Sequence, residues 1–433
     1  MGIVPHMALD VLLIGSGGRE SALAWKIAQS PRIGKLYIAP GNGGTRLFGE
    51  NVPIPAMAVE KLAHFAQQHS IDLTVVGPDD PLAGGIVDAF RSRGLRIFGP
   101  SKRAAQVEAS KAFAKNLMQE AGVPTGEFAV FADYRAALKY VREKGAPIVI
   151  KASGLALGKG VYVCTAATEA EEVLKRIMVD KLHGEAGNQV VIEEFLDGPE
   201  ISAHALSDGK NFKMLPPSQD HKRVGEQDEG PNTGGMGTIA PVPWVTHETM
   251  QLIEDSVVRP ALESLAYRET PFTGVLFPGI KLTTKGPKVL EFNARWGDPE
   301  TQVYMRLMKT DVLDVLEACA DGSIDKLSLE WNPGFAANIV LASEGYPDTY
   351  EKGFAIEGIE EAEKIPGVVV FHAGTTYADG VVKTSGGRVL GVSAVGASLK
   401  DALKTVYKAV DLIRYQGKYF RRDIGAKSLT MKS

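Results

Sequence analysis

Apolar positions in this chain gather into short runs of strand length, separated by stretches with a helical period, from the first residues onward. The run Leu9 to Ile14 meets the turn Gly15-Ser16-Gly17-Gly18, a helical pattern spans Arg19 to Gln29, and a second strand follows from Lys35 to Ala39. Strand, crossover helix and strand make one βαβ unit, and that connection closes right-handed in nearly every protein. Helical patterns near Val59 to His69 and from Leu82 to Arg93 alternate with the strands Leu73 to Val76 and Leu95 to Phe98. A doubly wound parallel sheet is therefore predicted for roughly the first hundred residues.

Beyond that point the pattern changes. A helix from Lys111 to Ala121 stops at Gly122 and Pro124, and a strand-helix-strand series runs from Phe128 to Ile150, which predicts an α+β unit in place of more parallel sheet. Residues 219 to 237 show no hydrophobic period; a loop of that length inside a compact domain usually serves a site, and this one is read as an active-site loop. After Pro333 the strands Ala336 to Ala342, Val368 to Ala373 and Arg388 to Ala394 and the helix Leu399 to Ile413 predict a β-rich closing unit. The expected fold class is thus α/β and α+β, with an N-terminal Rossmann-like domain at 7–108, a central domain at 109–330 and a C-terminal β-rich domain at 331–429. Residues 1–6, ahead of Met7, carry no pattern and read as a cloning scar.

Composition excludes several classes. With 44% apolar and 23% charged residues the chain is of ordinary globular make-up, and 48 basic against 52 acidic residues leave no basic footprint for nucleic acid. Cys164 and Cys319 belong to no CxxC pair or metal-ligand spacing. No apolar run reaches the length of a membrane span and no signal-peptide order opens the chain, so a cytoplasmic protein without a membrane partner is expected, as a monomer or weak dimer.

Candidate chemistry concentrates in four places. Lys151 ends an apolar strand, Gly154, Gly158, Lys159 and Gly160 follow, and a second strand begins at Val161. A Walker loop needs four residues before its GK pair and a helix after it; here there are three residues and then a strand, so a β-hairpin flap is the reading for phosphate contact. Val190 to Ile192 run into Glu193-Glu194-Phe195-Leu196, a buried strand entering a polar hinge whose backbone suits an adenine edge, with Glu200 just beyond for ribose hydroxyls. From Lys288 to Asn293 alternation puts Leu290 and Phe292 on one face, and Glu291 and Asn293 on the other, as oxygen donors for a magnesium ion that also bridges phosphates. The turn Gly15 to Gly18 opens a helix, where Gly17, Gly18 and Arg19 suit an anion, with Gly41 and Asn42 across the crevice. Arg19 also reads as a solvated helix residue.

The order of Lys111, Lys151, the glycine flap, the EEFL hinge, Glu200 and the EFN strand end resembles ATP-grasp enzymes. The strings IGSGGRE, APGN, VVGP, GKGV, IEEFLDG, QDHKR, GPNTGGMG, EFNARWGDPETQ, FHAGT and GGRVL are similar to the phosphoribosylamine-glycine ligase family, from Leu9 to Gly425. That resemblance implies that the first domain is a substrate domain and the central one an ATP-grasp domain with a mobile lid at about 125–197, with Lys111 and Lys151 on ATP phosphates, Glu194 and Leu196 at adenine, Glu200 at ribose, and Glu291 and Asn293 on Mg2+ or Mn2+. It also implies ATP as co-substrate, joining glycine to 5-phosphoribosylamine through a glycyl phosphate in purine biosynthesis. Ser21, Leu157 and Phe277-Pro278 depart from the family's usual residues.

For that chemistry Lys151 and Arg295 are candidates to neutralise the phosphoryl group in flight. Asp298 suits the glycine ammonium, although Asp298-Pro299-Glu300 reads equally as a helix start with Asp as N-cap. Asp220, His221, Lys222 and Arg223 are placed to meet glycine or the acyl phosphate. Another ATP-grasp ligase is the nearest alternative. An NAD-dependent dehydrogenase is weaker, because Glu20 stands at the third glycine of the dinucleotide fingerprint and Ala39-Pro40-Gly41 where a ribose-binding acid belongs.

Overall fold

The computed structural model describes residues 8–156 and 159–431; Gly158 and Leu157 of the expected flap lie outside the described residues. Five parallel strands form the first sheet, in the order Glu50–Asn51, Ile33–Pro40, Leu9–Gly15, Leu73–Val76 and Ile97–Phe98. Its central strand is buried on both faces: Val11 and Leu13 enter one core cluster, Leu12 and Ile14 another, as the alternation of a strand requires. The helix expected from Leu82 to Arg93 is instead two short helices, Asp79–Gly84 and Ile86–Arg91, parted at Gly85, whose φ of 92° a helix interior does not accommodate.

A four-stranded antiparallel sheet follows, in the order Phe128–Phe131, Val190–Glu194, Ile148–Ala152 and Val161–Cys164. The helices Tyr134–Lys144 and Ala167–Met178 cover it with a core of their own, from Ala137 and Val141 on one and Ala170, Leu174 and Ile177 on the other. Residues at spacings of three and four supply that face, and the Asp133 carboxylate caps the first helix by accepting from Ala136 N–H at 2.8 Å. The flap hairpin expected around Lys151 is the pair Ile148–Ala152 and Val161–Cys164.

The next sheet centres on Thr273–Thr283, which pairs with Glu200–Ser202, Ala205–Asp208 and Gly286–Asn293. One expectation is corrected here. Register slips opposite Gly279 and Ile280, so Leu290 is the extra residue of a bulge, and the residues buried in the core are Val289 and Phe292, not Leu290 and Phe292.

The last sheet runs Gln219–Asp220, Gly237–Ala240, Phe335–Ser343, Arg388–Gly396 and Val368–His372. Both ends of the stretch read as one loop are therefore strands, too short to show a period and recruited by the edge of Phe335–Ser343. Helix Leu399–Val410, capped by Ser398, lays Leu399, Ala402, Leu403, Val406 and Val410 on this sheet. Helix Glu300–Leu307 packs between it and helix Gly18–Ile27, so Leu13, Trp296, Tyr304, Ala336 and Phe371 share one core. Among the described residues no helix is long and apolar enough to cross a membrane.

Candidate active site

Where the flap sheet, the central sheet and the 219–237 segment meet, they enclose a cavity of about 600 Å³. Ser110 caps helix Lys111–Glu120 by accepting from Phe113 N–H at 3.2 Å, and the helix's first turn is tied to the root of the flap. Lys111 N–H donates to Ser153 O at 2.8 Å, Ala112 N–H to Ser153 Oγ at 3.1 Å, and Lys111 Nζ to Gly154 O at 3.1 Å. Lys151 enters from the flap strand, donating to Leu290 O at 2.9 Å and pairing with Glu193 at 3.0 Å. Lys159, at the far end of the flap, reaches Pro347 O at 2.8 Å.

Glu193 belongs to the strand, not to the hinge, and is buried between two lysines. Lys115 takes its other oxygen at 2.8 Å and also donates to Thr125 Oγ1 at 2.7 Å. Burial opposes ionisation of Glu193, but Lys151 and Lys115 outweigh it and hold the carboxyl low. Burial also draws the Lys115 ammonium down to about 8, against the pull of Glu193. Lys115 escaped the sequence reading as a helix-face cation; its spacing of four from Lys111, which puts both on one face, was the available signal. Glu194, the last residue of that strand, and Phe195 and Leu196 beyond it line the cavity, with Glu194 paired to Lys288 at 3.2 Å.

Lys222 lies between two carboxylates, 2.6 Å from Glu200 and 3.8 Å from Glu291. Burial would neutralise it; Glu200 and Glu291 instead raise its affinity for the proton. For Glu291 burial works upward, yet Lys222, Lys151, Lys111 and Arg295 hold its carboxyl at about 2, ionised at any ordinary pH. Asn293 donates Nδ2 to Phe277 O at 3.3 Å, which orients Oδ1 the other way, toward Arg295 Nη2 at 3.4 Å. Among the described residues no three His, Cys, Asp or Glu side chains converge on a metal position. One carboxylate and one amide oxygen fit a hard cation that completes its shell with phosphate oxygens and water.

Arg295 is held by Glu108 at 3.0 Å, and Glu108 also accepts Ala294 N–H at 2.8 Å; nothing in the sequence marked Glu108, which comes from a helix nearly two hundred residues away. Asp298 does not act as an N-cap: Pro299 occupies that position, with no side-chain cap. Its carboxylate accepts from Gln302 at 2.9 Å and pairs with Arg388 at 3.3 Å, while Arg388 also donates to Asp298 O at 2.8 Å. Burial would raise the Asp298 carboxyl, but Arg388 and Arg19 keep it below the usual range. His221 lines the cavity with both ring nitrogens engaged, Nδ1 with Gly237 O and Nε2 accepting Gly425 N–H, each at 3.0 Å.

The first domain differs most from expectation. Gly17 N–H donates to Glu20 Oε2 at 2.6 Å, so the helix start holds the chain's own carboxylate. Arg19 is 7% exposed, neither solvated nor free: it binds Glu20 at 2.5 Å and Trp296 O at 3.2 Å. The Asn42 amide donates to Ser16 O and His372 O, both at 2.9 Å, and its oxygen accepts Gly44 and Thr45 N–H, so the side chain ties loops together and has no group left for a ribose. Gly18 packs beside Gln302, and Gly41 turns with a φ of 72°. Ser21 is buried and accepts His372 N–H at 3.1 Å.

Three family profiles match in chain order: phosphoribosylglycinamide synthetase N domain at 9–108, its ATP-grasp (A) domain at 109–301 and its C domain at 336–427. The phosphoribosylamine–glycine ligase of Caldanaerobacter subterraneus subsp. tengcongensis is 47% identical over 418 residues, covering 96% of this chain and 100% of that protein. That of Pseudomonas aeruginosa is 47% identical, over 97% and 98%. The crystal structure of phosphoribosylamine–glycine ligase from Thermotoga maritima superposes with a TM-score of 0.84 at 33% identity, covering 96% of this chain and 100% of that one. A biotin carboxylase domain of Hydrogenobacter thermophilus 2-oxoglutarate carboxylase, at 17% identity over 96% of this chain and 92% of its own, shares the fold with a TM-score of 0.72. With an ATP-grasp core between its N and C domains, the chain belongs to the phosphoribosylglycinamide synthetase, or phosphoribosylamine–glycine ligase, family.

Proposed function

We propose that the protein ligates glycine to 5-phosphoribosylamine, coupled to cleavage of ATP to ADP and phosphate, giving glycinamide ribonucleotide in purine biosynthesis. The observation that carries this reading is the convergence of Lys111, Lys151, Lys222 and Arg295 on one cavity beside the paired oxygens of Glu291 and Asn293. A carboxylate is a poor electrophile until an oxygen of it is exchanged for a better leaving group. One glycine oxygen attacks the γ-phosphorus and ADP leaves; the neutral amine of phosphoribosylamine then attacks the acyl carbon, phosphate departs and the amine loses a proton. Charge spreads over the phosphoryl oxygens in the first step, and Lys151 and Arg295 are the cations to meet it. Mg2+ or Mn2+, held by Glu291 and Asn293, would supply neutralisation of the phosphate chain.

Glu194, Phe195 and Leu196 would frame adenine, Glu200 the ribose, and Gly154, Gly158, Lys159 and Gly160 the phosphates. For the phosphoribosyl end the backbone of Gly18 and Gly41, at the carboxyl ends of parallel strands, remains the reading. The protein would act in the cytoplasm, as a monomer or weak dimer, in three domains with the boundaries given above. A dinucleotide would lack its ribose-binding acid, since Ala39-Pro40-Gly41 ends the second strand, which leaves a ligase using another carboxylate as the second reading. ADP formation should require glycine and phosphoribosylamine together with the divalent ion. Equal turnover without glycine would assign the site to a different acid.

A further inference from the structure

The C-terminal unit reaches back toward the cavity through a buried arginine. Arg421 is 1% exposed, and its guanidinium grips Asp423 with two parallel bonds, Nε to Oδ1 and Nη2 to Oδ2, each 2.8 Å. Its third nitrogen, Nη1, donates to Asp228 Oδ1 at 3.0 Å and to Arg223 O at 2.9 Å. Asp228 and Arg223 belong to the 219–237 segment, and Arg223 directly follows Lys222, the cation between Glu200 and Glu291. Burying a guanidinium is costly unless it is paired and hydrogen-bonded, and here its planar fork joins two carboxylates and a carbonyl drawn from two segments.

Neighbouring residues repeat the contact. Asp423 Oδ2 also accepts Gln227 N–H at 2.8 Å, Glu226 accepts Arg422 N–H at 3.0 Å, Tyr419 OH donates to Val224 O at 2.8 Å, and Gly425 N–H reaches His221. The chain from Tyr419 to Gly425 thus lies along the turn 221–228 and bonds it at several points. That chain is anchored in turn on helix Leu399–Val410, where Tyr407 OH donates to Arg421 O and accepts Ile424 N–H, both at 3.1 Å, and Ile424 is buried in the core. The turn has little of its own to hold it. Residues 226–231 are exposed, and Gln227 and Asp228 take φ of 59° and 62°, a left-handed conformation that a side chain with a Cβ adopts at a cost. Such a backbone persists only where its surroundings over-determine it, and an exposed hairpin otherwise opens readily.

We infer that Arg421 is a positioning residue for the reaction: through Asp228 and Arg223 O it closes the turn 221–228 on the C-terminal segment, and so keeps the Lys222 ammonium between Glu200 and Glu291. The inference rests on the proposed function. Lys222, Arg223 and Asp228 line the cavity, whereas Arg421 stands behind them, so it reaches the reaction through the turn and not by touching a substrate. The C-terminal unit thereby takes part in catalysis without lending a group to the chemistry.

Two measurements on the full chain test this. Amide exchange of the unliganded protein reads the turn without any substrate: Arg421→Met should speed exchange across residues 221–234 at least about tenfold, and leave the strands Leu9–Gly15 and Thr273–Thr283 as slow as in the wild type. Steady-state kinetics, at a temperature where circular dichroism shows the variant fully folded, should give a kcat about tenfold to a hundredfold lower with the KM for ATP within about threefold. Asp228→Asn removes the partner charge at a half-exposed site and keeps a residue that accepts a left-handed φ. It should act in the same direction by less, and it decides alone if Arg421→Met does not fold. Unchanged exchange in the turn overturns the inference; so does faster exchange with an unchanged kcat, or a rate loss that only matches an unfolded fraction. A wild-type protein that turns over ATP without glycine overturns the ligase reading instead, since exchange and rate still report on Arg421.

Discussion

Glu291 is the carboxylate on which the cavity's positive charge converges, and its neighbours state its role more firmly than its place on a strand. Four cations hold it ionised at about 2, so it is a permanent anion with room for a fifth positive partner. Glu291→Gln keeps the shape and removes the charge; the fold should survive, with a melting temperature within a few degrees of wild type, while kcat falls by at least about a hundredfold. An unchanged rate and metal requirement would make the pair structural. Lys115 poses the opposite question, a lysine that burial has brought down to about 8 yet which keeps its salt bridge to Glu193. Lys115→Met leaves Glu193 with Lys151 alone, and should cost about 1–3 kcal/mol in stability and raise the ATP KM, read by denaturant unfolding and kinetics on the same preparation. Neither Lys115 nor Glu108 stood out in the sequence. Each was one charged residue on a helix, and only the closure of distant strands and turns gave it a partner.

At the scale of elements the flap is the part whose sequence and structure agree in kind. Lys151, the glycines and Val161 spelled a hairpin, and Ile148–Ala152 pairs with Val161–Cys164. Its root is tied to helix Lys111–Glu120 through Ser153, and its far end touches the C-terminal unit through Lys159 and Pro347. We expect amide exchange between residues 154 and 160 to slow several-fold when an ATP analogue and metal are added, with the root strands already protected. Equal exchange in both states would mean a flap that does not close on its ligand. The strand Gly286–Asn293 was legible in the sequence and its bulge was not, because alternation is a local rule whereas a bulge is set by the register of the partner strand. The same holds for Gln219–Asp220 and Gly237–Ala240, which pair with each other and, through Phe335–Ser343, with a sheet formed a hundred residues later.

The whole molecule is stapled by histidines as well as by its shared core. His221 joins the 219–237 segment to Gly425, and His372 sits buried against Thr375; burial brings each ring down to about 4. An unfolded chain binds a proton at each ring below about 6.5, the fold only below about 4, so the unfolded state holds more protons in between. Stability is therefore complete above about pH 6.5 and lost as pH falls toward 4, by up to about 3 kcal/mol for each ring. Thermal unfolding from pH 7.5 to 4.5 should show this decline, and His221→Gln, which retains an amide donor and acceptor, should flatten it. A variant as acid-sensitive as the wild type would place the linkage elsewhere.

What the sequence determined by itself is what short-range rules express: the alternation of Leu9 to Ile14, the stop at Gly122 and Pro124, the flap, and the strand carrying Glu291 and Asn293. The order of those motifs also sufficed to indicate the family, since order along a chain is a one-dimensional property. Tertiary structure alone decided the ionic partners. It buried Arg19 against Glu20 and Trp296, closed Asn42 onto its own loops, placed Glu193 between two lysines and tied Arg421 to Asp228. The reason is physical: periodicity reports which face of an element is buried, whereas the worth of a charge depends on what else is buried within a few ångströms of it, and those neighbours come from segments tens to hundreds of residues away.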